Sequence, residues 1–353
     1  MPFNRPRRLR KIVQPTEAEI SHQPAFIPLL DLFDTTDVNT LAIEQWWQKG
    51  SPWGYLRTPI GKNSQRKNFI IDLNESDLAH GPHGIIGGIT GSGKSTLLRS
   101  IILSYAMTHS PNEINFALVD YLGRAVFGEF QGLPHVVGVI PENESHENYA
   151  RRVMIALEGE VQRRKQILLD AKEEFGIEAN YNQYNDQEEK QNLPRLVIIF
   201  DEFAEFKNQY QDTCASLINL AQQGRALGIH LLLCTQNPED AVDAQLREFL
   251  RFRIRLRVAS KDDSIGDVGV QDGWQVPTGR ASFQVNNIVE FQCVYPEAPY
   301  IQDKRIIGIR NNGQVETDFS KKSSQKEQKQ SGVIVENIKQ TANKLKIHPV
   351  PRL

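Results

Sequence analysis

Residues Gly84–Thr96 read GIIGGITGSGKST. Gly84–Gly88 is a short apolar run of strand length, and the stretch from Lys94 to about His109 has no proline and reads as a helix. Between them, Gly88-Ile89-Thr90-Gly91-Ser92-Gly93-Lys94-Ser95 satisfies GxxxxGK[ST] in the strand-to-helix context that gives the pattern meaning. Glycines let the backbone curl until several N–H groups converge on one point, and the helix N-terminus adds partial positive charge there. That combination suits phosphate. Gly88 to Ser95, with Thr96 in the first helical turn, are the candidate nucleotide-binding residues. Lys94 is placed to reach the β- and γ-phosphates of ATP, and Ser95 to ligate Mg²⁺. A chance Gly/Ser loop is the bland alternative, and it does not account for the strand before and the helix after.

Outward from this loop, apolar runs and helical periods alternate. A β-rich run at Ile114–Asp120 is followed by a proline-free stretch, Ser145–Glu174. There Val153, Leu157, Val161 and Leu168 form one stripe flanked by charges such as Arg163, Arg164 and Lys165, which predicts a long helix lying on the surface. Ala179–Asn192 is polar enough to be an exposed loop. Then follow a strand at Leu196–Phe200, a helix near Phe206–Arg225, a strand at Ile229–Cys234 and β-rich runs at Phe252–Val258 and Ile288–Tyr295. This order predicts an α/β P-loop NTPase, with a mainly parallel central sheet flanked by helices. The expected organisation is a basic Pro/Arg-rich arm over 1–24, a small N-terminal lead-in over 25–80 packed on the motor, and the ATPase domain over 81–310. A flexible C-terminal tail, 311–353, completes it: the polar run Ser320–Ser331 is a linker, and the amphipathic Val333–Lys346 reads as a bridge to a partner.

Downstream, Leu196-Val197-Ile198-Ile199-Phe200 ends in Asp201-Glu202. A carboxylate at a strand's C-terminal edge can face the phosphate loop. Asp201 would hold the metal, directly or through water, and Glu202 would orient or deprotonate the attacking water. The competing reading is a pair of acids capping the helix that begins near Ala204. His230–Cys234 ends in Thr235-Gln236, which makes Gln236 a candidate sensor of the γ-phosphate or lytic water, or else a strand-end amide bonded to local backbone. Arginine alternates with apolar residues from Phe252 to Val258, so a strand would place Arg253, Arg255 and Arg257 on one face. Such a face is ordinarily solvated, but in a ring it could also present an arginine to a neighbour's γ-phosphate, and the spacing does not choose which. Arg225, in Gly224–Gly228, is a further interface candidate or a helix-end residue bonding terminal carbonyls.

The 353 residues, 39% hydrophobic and 24% charged with a net charge of −2, describe an ordinary globular chain rather than a disordered or uniformly basic one. Cys214, Cys234 and Cys293 form no CxxC and no metal-spaced cluster, which fits a reducing compartment. The basic segment Met1–Ile12 is not followed by an apolar core, and the longest apolar runs are strand-sized, so the expected location is the cytoplasm. The sequons at Asn74 and Asn143 are then without consequence.

Taken in order, Gly88–Ser95, Val197–Phe203 (VIIFDEF), Gly224–His230 (GRALGIH), Thr235–Pro238 (TQNP) and Arg253 to Ser264 resemble the FtsK/SpoIIIE branch of the HerA-like ATPases, over about residues 80–295. The resemblance implies a RecA-like motor, a homo-oligomeric and commonly hexameric ring with ATP between subunits, and Arg253 as the trans-acting arginine. Within the branch, Leu29–Phe33 (LLDLF), Leu56–Gly61, Ile70–Leu73, His80–Gly84 (HGPHG) and Phe116–Phe127 (FALVDYLGRAVF) are similar to the EccC/EssC-type ATPases of type VII secretion. Leu122, Arg124 and Asn237 depart from that pattern, standing where a lysine, a glycine and an arginine are usual.

The resemblance implies an ATPase that powers polypeptide export, recruited to the cytoplasmic face of the membrane by membrane-embedded secretion partners. A translocase of double-stranded DNA is the alternative, although the polar tail is too short for a sequence-reading domain of about 60 residues. A nucleotide-controlled assembly scaffold is another, and the intact Lys94, Asp201 and Glu202 speak against it.

Overall fold

The computed structural model describes residues 26–76, 78–121, 126–141, 146–176, 180–187, 192–209, 213–236, 238–258, 276–300, 307–309, 315–317 and 328–347. After 3-10 turns at Leu29–Phe33 and Val38–Thr40, the elements begin with α1 (Ile43–Lys49), β1 (Arg57–Asn63), β2 (Asn68–Asp72), β3 (Gly84–Gly87) and α2 (Lys94–Thr108). They continue with β4 (Ile114–Asp120), a 3-10 turn at Gly128–Phe130, β5 (Val136–Pro141), α3 (His146–Phe175), α4 (Tyr181–Asn185), β6 (Arg195–Asp201), α5 (Phe203–Gln209), α6 (Thr213–Leu227) and β7 (Ile229–Thr235). The last are α7 (Pro238–Ala241), α8 (Ala244–Phe249), β8 (Phe252–Arg255), β9 (Arg280–Gln284), β10 (Ile288–Cys293), β11 (Ile307–Ile309), β12 (Val315–Thr317) and α9 (Gln330–Lys344).

A ten-stranded sheet runs β2-β1-β10-β9-β8-β3-β7-β6-β4-β5. From β8 to β5 the neighbours are parallel, and from β8 to β2 they are antiparallel, so the molecule has a parallel half and an antiparallel wing. Strands β3, β4, β6 and β7 are buried at every position, as strands covered on both faces must be. Their alternate residues feed separate cores. Ile86, Leu118, Ile199 and Leu232 pack on the α2 side, while Ile85, Val119, Ile198 and Leu231 pack on the side of α3 and α6.

The expected elements are present, with informative differences. Where one helix is expected near Phe206–Arg225, the described residues form α5 and α6, and α5 begins directly after Glu202. Along α3 the stripe Val153, Leu157, Val161 and Leu168 is buried, but so is Arg164. Its guanidinium donates to Glu160 at 2.6 Å, to the Leu227 carbonyl at 2.8 Å and to the Pro194 carbonyl at 2.7 Å. A buried arginine of this kind clamps α3 to the ends of α6 and the β6 approach. The C-terminal helix α9 also departs from its expected outward role. Ile334, Val335, Ile338 and Ala342 are buried in this chain's own core, and Gln330 Oε1 accepts the Leu30 N–H at 3.2 Å.

The histidines of the parallel half are structural. His83 accepts the Leu231 N–H on Nδ1 at 3.0 Å and faces the Ala221 carbonyl with Nε2 at 2.9 Å, which holds the ring neutral with its proton on Nε2. Burial lowers the pKa of His83 to about 4, of His109 to about 4 and of His135 to about 3, and drives His230 well below its usual value. With folded values below the unfolded 6.5, the unfolded chain binds more protons as the pH falls through that window. Stability is therefore complete above pH 6.5 and lost on acidification, each histidine adding up to about 1.4 kcal/mol per pH unit. Urea midpoints measured from pH 8 to pH 4.5 are expected to be level at first and to fall steeply below about 6.5; a level profile down to pH 5 would contradict neutral buried histidines.

Candidate nucleotide site

Strand order makes the site. Because β7 lies between β3 and β6 and all run parallel, the ends of these strands open on one edge: Gly87 of β3, Thr235 of β7 and Asp201 of β6. The loop after β3 leads into α2 through Gly93, whose φ of 105° lies in the left-handed region open to glycine. The N–H groups of the first turn of α2, Lys94, Ser95 and Thr96, have no intrahelical acceptor, as at any helix start. Lys94 is buried in that turn.

Across the edge, Asp201 and Glu202 are both buried. Asp201 closes β6 in register with Asp120 of β4, so a further carboxylate stands at this edge, one to which the sequence alone gives no role. Asp120 Oδ2 accepts the Val126 N–H at 3.1 Å. Glu202 has φ of 55°, a left-handed conformation costly for a side chain with a Cβ. Its carbonyl receives the Glu205 N–H at 3.2 Å and starts α5, while its carboxylate reaches Lys94, with Nζ to Oε1 at 2.6 Å. The two side chains are only 6% and 4% exposed. Gln236, just past β7, donates from Nε2 to the same Oε1 at 3.4 Å. Lys94, Glu202 and Gln236 thus meet at one point, and the helix-start reading of the acids describes Glu202's carbonyl but not its carboxylate. Cys234 lies beneath, its thiol pushed well up by burial first and then by the neighbouring Asp201 and Glu202, so it stays protonated.

The remaining candidates lie elsewhere. Arg253 sits within β8 beside Ile85 and Gln284, and with Arg247, Arg255 and Val242 it lines a small cavity behind the strand. Arg257, in the same arginine series, reaches the loop, its Nη2 donating to the Gly91 carbonyl at 3.4 Å. Arg225, exposed at the end of α6, pairs with Glu75 of the lead-in at 3.4 Å, near the start of β7 and hence at the opposite edge of the sheet. Leu122, Arg124 and Asn237 fall outside the described residues.

The donor set fits a magnesium nucleotide. A curled glycine loop and a buried lysine stand beside carboxylates, hard oxygen ligands of the kind Mg²⁺ takes, and Lys94 Nζ bonds one of them, Glu202 Oε1, at 2.6 Å.

Residues 41–240 match the profile of the FtsK/SpoIIIE family. The chain is 34% identical over 342 residues to the ESX secretion system protein EccC of Geobacillus thermodenitrificans strain NG80-2, covering 93% of this chain and 23% of that protein. It is 31% identical over 347 residues to the type VII secretion system protein EssC of Staphylococcus aureus strain Mu50, again over 93% of this chain and 23% of the relative. Its structure is similar to the cytoplasmic domain of the Thermomonospora curvata type VII secretion ATPase EccC, with TM-score 0.75 and 29% identity over 89% of this chain and 34% of that one. The chain thus spans less than a quarter of the length of these curated relatives.

A buried pair such as Lys94–Glu202 is costly to break one side at a time. In nucleotide-free protein, Lys94→Met and Glu202→Gln are each expected to lower unfolding free energy by about 3–5 kcal/mol, and the double variant by clearly less than their sum. Urea unfolding of the four proteins measures the coupling, and additivity to within about 0.5 kcal/mol would show that the pair is not energetically linked.

Proposed function

The chain belongs to the FtsK/SpoIIIE family, and from that premise we propose that it is an ATP-hydrolysing motor unit that drives polypeptide through a type VII secretion-like machine. The observation that carries the hydrolytic reading is the meeting of Lys94 with Glu202 and Gln236 at the edge where the glycine loop opens. The secretion reading rests on the relatives, which are type VII and ESX secretion proteins.

In this scheme the loop N–H groups and Lys94 bind the phosphates, and Lys94 exchanges the Glu202 carboxylate for phosphate oxygens of similar charge. Glu202, released, accepts a proton from the attacking water as its oxygen bonds to the γ-phosphorus, and the bond from that phosphorus to the ADP oxygen breaks. Gln236, already bonded to Glu202, senses whether the γ-phosphate is present. Ser95 and Asp201 would hold Mg²⁺, which supplies neutralisation of phosphate charge. The oligomer is a ring, hexameric by family habit, in which Arg253 of one subunit serves the nucleotide of the next. The unit works at the cytoplasmic face of the membrane alongside membrane-embedded partners; among the described residues no helix is long and apolar enough to cross a membrane.

ATP turnover across a protein concentration series, with and without double-stranded DNA, tests this scheme. Glu202→Gln is expected to reduce turnover by about a hundredfold or more while sparing ATP binding. Turnover that rises with concentration, collapses in Arg253→Ala and ignores DNA is the expected pattern; strong stimulation by DNA would replace the polypeptide reading with DNA translocation.

A further inference from the structure

A phosphate loop that turns its N–H groups inward must turn carbonyls outward, and those carbonyls also require partners. Here the partners come from the antiparallel wing. The Ser92 carbonyl accepts the Gly279 N–H at 2.8 Å, and the Gly91 carbonyl accepts the Thr278 hydroxyl at 3.3 Å and Arg257 Nη2 at 3.4 Å. The loop answers in kind, with the Ile89 N–H on the Arg257 carbonyl at 3.1 Å.

The turn that supplies these contacts is itself pinned. The Arg280 N–H closes it on the Pro277 carbonyl at 3.1 Å, the Gly279 carbonyl takes the Cys293 N–H of β10 at 2.8 Å, and Gln292 Nε2 donates to the Thr278 carbonyl at 3.4 Å. Its fit against the loop leaves no room for side chains. A Cβ on Gly93 would lie 3.1 Å from both the Cα and the nitrogen of Gly279. Gly279 has φ of 80°, and a Cβ there would lie 2.7 Å from Gln292 Nε2. Two glycines are thus stacked back to back, one in the loop and one in the turn.

We propose that the Pro277–Arg280 turn is a buttress for nucleotide binding, with Thr278, Gly279 and Arg257 as positioning residues. They hold the Gly91 and Ser92 carbonyls outward, with the Ser92 N–H closing the loop on the Ile89 carbonyl at 3.0 Å, and so hold the Gly93 and helix-start N–H groups toward the phosphates. None of them needs to touch the nucleotide. The inference rests on the ATP reading above and assigns that site Thr278 and Gly279, which lie outside its recognised motifs, together with Arg257.

Thr278→Val keeps the side chain's shape and removes the hydroxyl, Thr278→Ser keeps the hydroxyl, and Gly279→Ala adds the excluded Cβ. Equilibrium binding of a ribose-labelled fluorescent ADP, steady-state KM and kcat for ATP, and thermal unfolding of the nucleotide-free proteins are measured for each. Thr278→Val is expected to weaken binding and raise KM by about 3–10-fold, the scale of one net hydrogen bond, with kcat and the unfolding midpoint unchanged. Thr278→Ser is expected to bind like the unaltered protein, and Gly279→Ala to bind more weakly than Thr278→Val. Unaltered binding in Thr278→Val, or a loss that Thr278→Ser does not restore, would overturn the buttress while leaving the ATP reading intact. An unaltered protein that binds no adenine nucleotide would overturn that reading and the buttress with it.

Discussion

A lysine and a glutamate held 2.6 Å apart inside a protein have both given up water, and the contact between them must compensate for that loss. For Lys94 and Glu202 this requirement organises the surrounding fold. The lysine is delivered by the first turn of α2 and the glutamate by the end of β6, and β3 and β6 are not neighbours. They can meet only because β7 lies between them in parallel and all three strands end at one edge. Any slip in strand order would strand a buried charge. The topology and the site are thus the same fact seen at different scales.

The pair is also poised rather than inert. Glu202 is held with φ of 55°, a conformation that costs an ordinary residue about 1–3 kcal/mol and persists only where neighbours impose it. Here they are the end of β6 and the immediate start of α5, which takes Glu202's carbonyl as its first acceptor. Backbone geometry therefore aims the carboxylate at the loop whether or not Lys94 answers it. In the proposed scheme the carboxylate on Lys94 stands in for a phosphate oxygen, so an incoming nucleotide would replace it without leaving the lysine unpaired. Gln236 is bonded to the same oxygen.

Much of this was legible in the chain. Strands such as Ile114–Asp120 and Ile229–Thr235 declare themselves because burial on both faces favours a nearly continuous apolar run, here broken only by Asn115 and His230 before the polar ends Asp120 and Thr235. The loop Gly88–Ser95 and the acids 201 and 202 were readable because their chemistry tolerates few alternatives. The antiparallel wing was less visible: β9, with sequence RASFQ, alternates polar and apolar residues but offers only Ala281 and Phe283 as apolar positions, so its neighbours rather than its composition make it a strand. The short β5 was hidden for a related reason, as VVGVIP mixes strand formers with the glycine and proline of a loop. Arg164 was read as a surface charge because periodicity cannot report the Leu227 and Pro194 carbonyls that wait for it. Thr278 and Gly279 carry no motif at all; only the approach of Gly279 to Gly93 shows what they touch.

The wing also bears on how the lead-in relates to the rest. β10 pairs with β9 on one side and β1 on the other, and the turn before β9 presses on the phosphate loop. At the opposite edge Arg195 lies over the rings of Tyr55 and Tyr181, 5.5 and 4.3 Å from their centroids, and pairs with Glu75 at 3.0 Å. The lead-in is thereby fixed to the parallel half at the start of β6 and to the phosphate loop through β10. Close-packed interiors transmit small displacements instead of absorbing them. A shift of the Gly91–Gly93 backbone would press first on Gly279, then on the β9–β10 hairpin, and through β1 on the segment against which α9 is packed. In this arrangement the lead-in and α9 belong to the mechanical environment of the Gly88–Ser95 loop.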